Sequence, residues 1–218
     1  KQIALVTGGS MGAQQTWEWA VRYPDMVKRA APMAGTAKTT DYLFLLLEAY
    51  NAAMTSDPNW KNGNYKSASD VVDGLKRLAQ LWALTGWSTD FFKQEVWREL
   101  GFSSVEEFMT GFMASYFTVM DPNALLSMGW KAQRADVSRM FGGDLKKALG
   151  SIKAKVFVMP IDEDMLFKVK DCEYEQRMVP NSELRVIKNC GHLGLFDVQP
   201  DYMPQIDKNL RELLSIRV

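Results

Sequence analysis

Apolar positions change their rhythm three times along the chain. Ile3, Ala4, Leu5 and Val6 form an unbroken apolar run that halts at Thr7-Gly8-Gly9. This predicts a buried strand over residues 3–7 that meets a glycine turn. A helix follows through Thr16, Trp17, Trp19, Ala20 and Val21, and Pro24-Asp25 stops it. Residues 27–33, rich in alanine and closed by Met33, read as the next short buried strand. Strand, turn, helix and strand in that order are the grammar of a parallel sheet.

Over residues 39–141 the period lengthens to that of helices. Leu43, Leu46, Leu47, Tyr50 and Met54 recur at three- and four-residue steps, and so do Val71, Val72, Leu75, Leu78, Ala79 and Trp82 after a predicted cap at Ser69-Asp70. Phe91, Phe92, Val96 and Trp97 make another face, as do Val105, Phe108, Met109, Phe112, Tyr116 and Phe117. From Leu145 the strand pattern returns, with strands over 156–160 and 184–187, a helix over 173–178 and a closing amphipathic helix over 202–216. The expected class is α/β: a parallel-sheet core in segments 1–38 and 142–218, interrupted by a helical lid over 39–141.

Composition narrows the function classes. Lys plus Arg (26) balance Asp plus Glu (26), and basic residues are scattered, so no field draws the chain to nucleic acid or to an anionic membrane. No apolar stretch is long enough to span a bilayer. Cys172 and Cys190 suit neither a disulfide framework nor a metal site and read as inert buried thiols. With no secretory signal, the expected compartment is the cytoplasm.

Chemistry enters at Gly8-Gly9-Ser10-Met11-Gly12, which fits G-x-S-x-G between a strand and a helix. In such a turn Ser10 is pushed outward on strained backbone. Side chains two residues to either side are expected to collide, hence Gly8 and Gly12. The N–H of Met11, at the positive end of the following helix, is the expected oxyanion donor. A serine hydroxyl needs a base, and His192 is the one histidine in the sequence. It lies in a glycine-flanked loop after a predicted strand, at the sheet edge where ligand-facing groups gather. An acid should orient it, and Asp162, Glu163 and Asp164 are equal candidates on sequence grounds. The chain order Ser…Asp…His is that of α/β-hydrolases.

The elbow, the block Trp17-Glu18-Trp19-Ala20-Val21-Arg22-Tyr23-Pro24-Asp25, Asp57-Pro58-Asn59-Trp60 with Gly63 and Tyr65, and Asp164-Met165-Leu166-Phe167 together resemble the homoserine O-acetyltransferase family over nearly the whole chain. The resemblance implies an α/β-hydrolase fold with a helical lid, and a ping-pong reaction in which acetyl-CoA, as substrate rather than bound cofactor, acetylates the serine before a hydroxyl acceptor takes the acetyl. It selects Asp164 as the acid. Leu193 stands where the family carries an aspartate, and Asn51 where it carries an arginine. Both departures imply an acceptor less polar than homoserine, or water, since buried zwitterion charges without partners cost several kcal/mol.

Two further expectations complete the picture. Trp82, Trp87, Phe112, Tyr116 and Leu193 are candidate pocket residues, although core packing between short helices explains the aromatic enrichment more simply. Residues 3–7 read as a central strand needing neighbours on both edges, so an upstream segment or a second chain is expected to supply them, along with a second oxyanion donor. Association as a homodimer is left open. The function classes in play are serine-dependent acyl transfer, hydrolysis of a small ester, and a hydrolase-like scaffold without catalysis. No metal is expected.

Overall fold

The computed structural model describes residues 1–196 and 202–218. The chain divides into two compact units, one made of Lys1–Thr39 with Arg134–Val218 and the other of Thr40–Gln133. The first unit opens with β1 (Val6–Gly9), α1 (Met11–Arg22) and β2 (Arg29–Met33). The second contains α2 (Asp41–Thr55), α3 (Val72–Gly86), α4 (Thr89–Lys93), α5 (Val105–Phe108), α6 (Ser115–Thr118) and α7 (Pro122–Gln133). The chain then returns through α8 (Leu145–Gly150), β3 (Lys155–Val158), α9 (Val169–Gln176), β4 (Ser182–Leu184) and α10 (Tyr202–Ser215).

Among the described residues the strands form one parallel sheet in the order β1-β2-β3-β4. Alternation along them assigns side chains to two faces. Ala30, Val156 and Val158 pack with Trp17, Ala20 and Val21 of α1, Ala148 and Leu149 of α8, and Cys172 of α9. Ala31, Phe157 and Met159 turn the other way, onto Tyr202, Ile206 and Leu213 of α10. Helices therefore cover both faces, which is why β2 and β3 read as continuous apolar runs. The alanines of β2 let helices approach the sheet closely. Arg29 accepts a further task, donating to the carbonyls of Leu213 and Ile216 at the end of α10.

The first strand lies further along than expected. Ile3 pairs only as an isolated bridge with Val27, and the ladder runs from Val6↔Ala30 to Gly9↔Met33. Gly8 and Gly9 belong to the strand rather than to a turn, because β2 offers them partners that the local sequence does not reveal. The boundary of the helical unit also differs. Residues 134–141, expected in the lid, belong with the sheet, where Val137 and Phe141 pack beside α1 and α8.

Within the helical unit, Trp87, Phe91 and Phe108 form a buried aromatic cluster with Phe112, whose ring stacks on Phe108 at 5.4 Å. The predicted single face over 105–117 is broken by a π-helical stretch, Met109–Ala114. The cap before α3 is Ser67, with Asp70 reaching back to the Ser67 N–H, rather than Ser69-Asp70. Helix α7 was not expected, since its exposed Met128 and Trp130 blur the apolar period. Asp57, from the block shared with the resembling family, is a structural residue: its buried carboxylate accepts the N–H groups of Asn59 at 2.9 Å and Gly74 at 2.8 Å. Burial pushes that carboxyl up, but the two N–H groups, together with the Arg77 charge and the Asp73 N–H, outweigh it and leave it below its ordinary range. Among the described residues no helix is long and apolar enough to cross a membrane.

Candidate active site

The carboxyl edge of the sheet collects the three expected residues. β1 runs directly into Ser10, which adopts φ 57° and ψ −121° before α1 begins. A positive φ at a serine with ψ −121° lies outside the regions ordinarily open to a residue with a Cβ, and this strained conformation is held here because Ser10 N–H donates to the Met33 carbonyl at 2.9 Å while its own carbonyl accepts from Ala13 and Gln14. The strain aims the hydroxyl away from strand and helix alike.

His192 receives it. Ser10 Oγ lies 2.9 Å from His192 Nε2, and His192 Nδ1 lies 2.8 Å from Asp164 Oδ2. A carboxylate accepts and cannot donate, so Nδ1 carries the proton and Nε2 is left to accept from the serine hydroxyl. Asp164 follows β3, and its side chain has no exposed surface; that of His192 is 3% exposed. The second Asp164 oxygen, Oδ1, accepts the N–H groups of Leu166 at 2.7 Å and Phe167 at 3.0 Å. The acid is thereby fixed in one rotamer with Oδ2 facing the imidazole. Phe167 then stacks on the His192 ring at 5.6 Å, a contact the sequence did not point to.

The neighbouring acids fall elsewhere. Asp162 accepts the Asn189 N–H through Oδ2 at 3.2 Å and so touches the histidine loop rather than the imidazole. Glu163 is half-buried on the same loop. Of the three carboxylates, it is Asp164, the one the resemblance selects, that reaches the imidazole.

Met11 occupies the first position of α1, where a helix provides its N–H with no internal acceptor and the dipole is positive. Of the elbow glycines, Gly8 is sterically required: a Cβ there would sit 2.8 Å from the carbonyl carbon and oxygen of Gly12. Gly12 itself faces open space, so the collision expected at both positions arises at one. Gly35, which the sequence did not single out, is sterically required as well; a Cβ there would meet Ser10 O at 2.8 Å and Ala13 Cβ at 2.5 Å.

The candidate pocket residues scatter. Leu193 follows His192 and is half-buried. In the helical unit Trp87 is 2% exposed, in ring contact with Phe91, Phe108 and Phe112, and its indole N–H donates to Met113 Sδ at 3.3 Å. It therefore packs a core and presents almost no surface, a correction to its expected role as lining. Trp82 belongs to a separate stack with Tyr50 and Phe117, and Tyr116 is exposed. Cys172 and Cys190 are free and buried, and burial raises both thiols, Cys190 to about 12, so neither is a nucleophile near neutrality. Among the described residues no group of three His, Cys, Asp or Glu side chains is placed to hold a metal ion.

Comparison with known proteins adds to this geometry. A family profile described as alpha/beta hydrolase fold matches residues 1–198. An ethyl acetate hydrolase of Pseudomonas veronii is 56% identical over 216 residues, which are 99% of this chain and 62% of that protein. The solved structure of an acetylester hydrolase from Corynebacterium glutamicum superposes with a TM-score of 0.97 at 55% identity, covering 99% of this chain and 62% of that one. A homoserine O-acetyltransferase of Trichormus variabilis is 27% identical over 221 residues, covering 61% of its length. The chain thus spans about three-fifths of the curated relatives it matches.

Proposed function

The chain belongs to the alpha/beta hydrolase fold family, and from that premise we propose that it carries the catalytic residues of an esterase acting on small acetyl esters. The observation that carries this reading is the continuous relay Ser10 Oγ, His192 Nε2, His192 Nδ1, Asp164 Oδ2, with links of 2.9 and 2.8 Å.

Ser10 Oγ attacks the ester carbonyl carbon while His192 Nε2 takes the hydroxyl proton. Asp164 holds the imidazole in the right tautomer and offsets the imidazolium charge. The Met11 N–H donates to the oxyanion of the tetrahedral intermediate, a contribution of about 3 kcal/mol for a single such donor. When the C–O bond breaks, the alcohol leaves with the proton from His192, and the acetyl group stays on Ser10. Water then attacks that acyl-enzyme with His192 again as base, and acetate departs.

The same first half-reaction would serve an acyltransferase, which the sequence resemblance favoured. Hydrolysis is preferred because relatives named as acetyl ester hydrolases share 55–56% of their residues with this chain, against 27% for the homoserine O-acetyltransferase. Leu193, directly after the histidine, also offers no charge to an amino acid acceptor.

The test is hydrolysis of ethyl acetate and p-nitrophenyl acetate by the purified protein and by its Ser10→Ala variant. Wild type should turn over both, and the variant should lose about 10⁴-fold or more in kcat. Equal rates for the two proteins would sink the reading. Faster acetyl transfer from acetyl-CoA to an added alcohol than ester hydrolysis would restore the acyltransferase, and an unreactive wild type, blind also to a fluorophosphonate probe, would indicate a non-catalytic scaffold.

A further inference from the structure

The loop that carries His192 is gripped from two sides just upstream of the imidazole. Regular pairing between the acid loop and the histidine loop ends at Ile187, whose N–H donates to the Pro160 carbonyl at 2.8 Å and whose carbonyl accepts from Asp162 N–H at 2.9 Å. Side chains then take over from the backbone. Lys188 donates its N–H to Gln205 Oε1 at 2.9 Å, and its carbonyl accepts from Gln205 Nε2 at 3.1 Å. One amide of α10 thus satisfies both main-chain groups of Lys188, as an adjacent strand would. At the next residue Asn189 donates its N–H to Asp162 Oδ2 at 3.2 Å.

Asn189 sits at φ 64°, in the left-handed region. That conformation turns the chain from the sheet edge towards His192, and it is stable here because its N–H is held. Asp162 is kept at a cost: its other oxygen, Oδ1, is buried and has no hydrogen-bond partner among the described residues. A buried acceptor without a partner is destabilising. Cys190 anchors the same loop from inside as a fully buried thiol.

We propose that Asp162 and Gln205 are positioning residues that clamp residues 188–189 and thereby hold the His192 imidazole in line between Ser10 and Asp164. The proposal rests on the esterase reading for its kinetic consequence, but its structural consequence stands alone. Displacement of a catalytic group by 1 Å costs on the order of 10²-fold in rate, so freeing the loop lowers kcat while leaving KM close to its original value. Since His192 is the one histidine in the sequence, its Nδ1–H proton, hydrogen-bonded to Asp164, gives a single assignable low-field NMR signal.

The experiment compares Asp162→Ala, Asp162→Asn, Gln205→Ala and Gln205→Glu with wild type in kcat, KM and the low-field signal. Both alanine variants should lose about tenfold or more in kcat, with KM within about twofold, and should broaden or lose the signal. Asp162→Asn keeps an acceptor for Asn189 N–H and should restore both. Gln205→Glu keeps the acceptor for Lys188 N–H but not the donor, and should fall between. Asp162→Asn as impaired as Asp162→Ala would overturn the clamp in favour of the charge, and wild-type values in every variant would overturn it outright. Gln205 lies on a partly exposed face, so its two variants keep the test informative if Asp162→Ala fails to fold. An inactive wild type whose signal disappears in the alanine variants would refute the esterase and leave the clamp standing.

Discussion

Gly8 and Gly12 flank Ser10 symmetrically in sequence, yet the structure asks different things of them. A methyl group at Gly8 would press 2.8 Å from the Gly12 backbone, which cannot retreat without moving the start of α1 and the Met11 N–H with it. At Gly12 there is room, and the position lies inside α1. Gly8→Ala is therefore expected to lower kcat/KM for p-nitrophenyl acetate by about 10²-fold or more. Gly12→Ala should keep activity and raise Tm by about 1–3 °C, because alanine has less chain entropy to lose in a helix. Matching losses in the two variants would contradict the steric account. The same scale decides the acid. Asp162, Glu163 and Asp164 are equal candidates by residue type and position after the strand, and only the resemblance of Asp164-Met165-Leu166-Phe167 to a family motif favoured one. What separates them is that Asp164 Oδ1 is occupied by Leu166 and Phe167 N–H groups, leaving Oδ2 for His192. Ser10 and His192 were legible because the first sits in a motif dictated by its turn and the second is the one residue of its type. Phe167 and Gly35 were not, since a stacked ring and a close backbone approach leave no local signature.

At the scale of elements, the two segments of the sheet unit that flank residues 40–133 are held together around a buried carboxyl in α9. Glu175 accepts the N–H groups of Ala37 at 2.6 Å and Lys38 at 3.0 Å. Lys38 in turn bridges to Asp136 at 3.2 Å, while Val137 N–H donates to the Ala37 carbonyl and Thr39 N–H to that of Ala135. The outgoing and returning segments are thus tied together within the sheet unit. Sequence could not show this, because Val169–Gln176 reads as a polar surface helix in which a buried glutamate looks like its exposed neighbours. Burial pushes Glu175 up to about 8, against the two N–H groups that favour its charged form, and Asp171 and Asp136 nearby add to the rise. A carboxyl raised in the folded state binds its proton there while the unfolded chain has already released it. Its contribution to stability is full below about pH 4.5 and is lost as pH rises towards 8. Urea midpoints should accordingly fall from pH 5.5 to 8 in wild type, and the fall should be smaller in Glu175→Gln, which cannot ionise. Parallel curves for the two proteins would show that Glu175 is not the group responsible.

Across the whole molecule, the relay and the aromatic packing fall in different stretches of chain. The relay residues come from positions 10, 164 and 192, far apart in sequence, yet all belong to the unit formed by Lys1–Thr39 and Arg134–Val218. The alternation of strand and helix signals revealed that unit's class, and the change to a helical period revealed that a segment was inserted. The return point was misjudged because residues 134–141 carry a turn of helix whose apolar side chains pack with the sheet unit, a long-range fact. The aromatic enrichment of the insert was ambiguous between a pocket and a core, and Trp87 shows how burial settles it for one residue. Its indole lies against Phe91, Phe108 and Phe112 and donates to Met113 Sδ. Trp87→Ala would remove that large side chain from the interior of the helical unit at a cost of about 3–5 kcal/mol. With two compact units, such a loss need not be shared by both, so calorimetry of the variant should show a new transition at lower temperature rather than a uniform shift. Below that transition, fluorophosphonate labelling of Ser10 should proceed at close to the wild-type rate, because every link of the relay lies outside the damaged unit. Labelling lost while the variant is still fully folded by circular dichroism would mean instead that Trp87 acts on the chemistry.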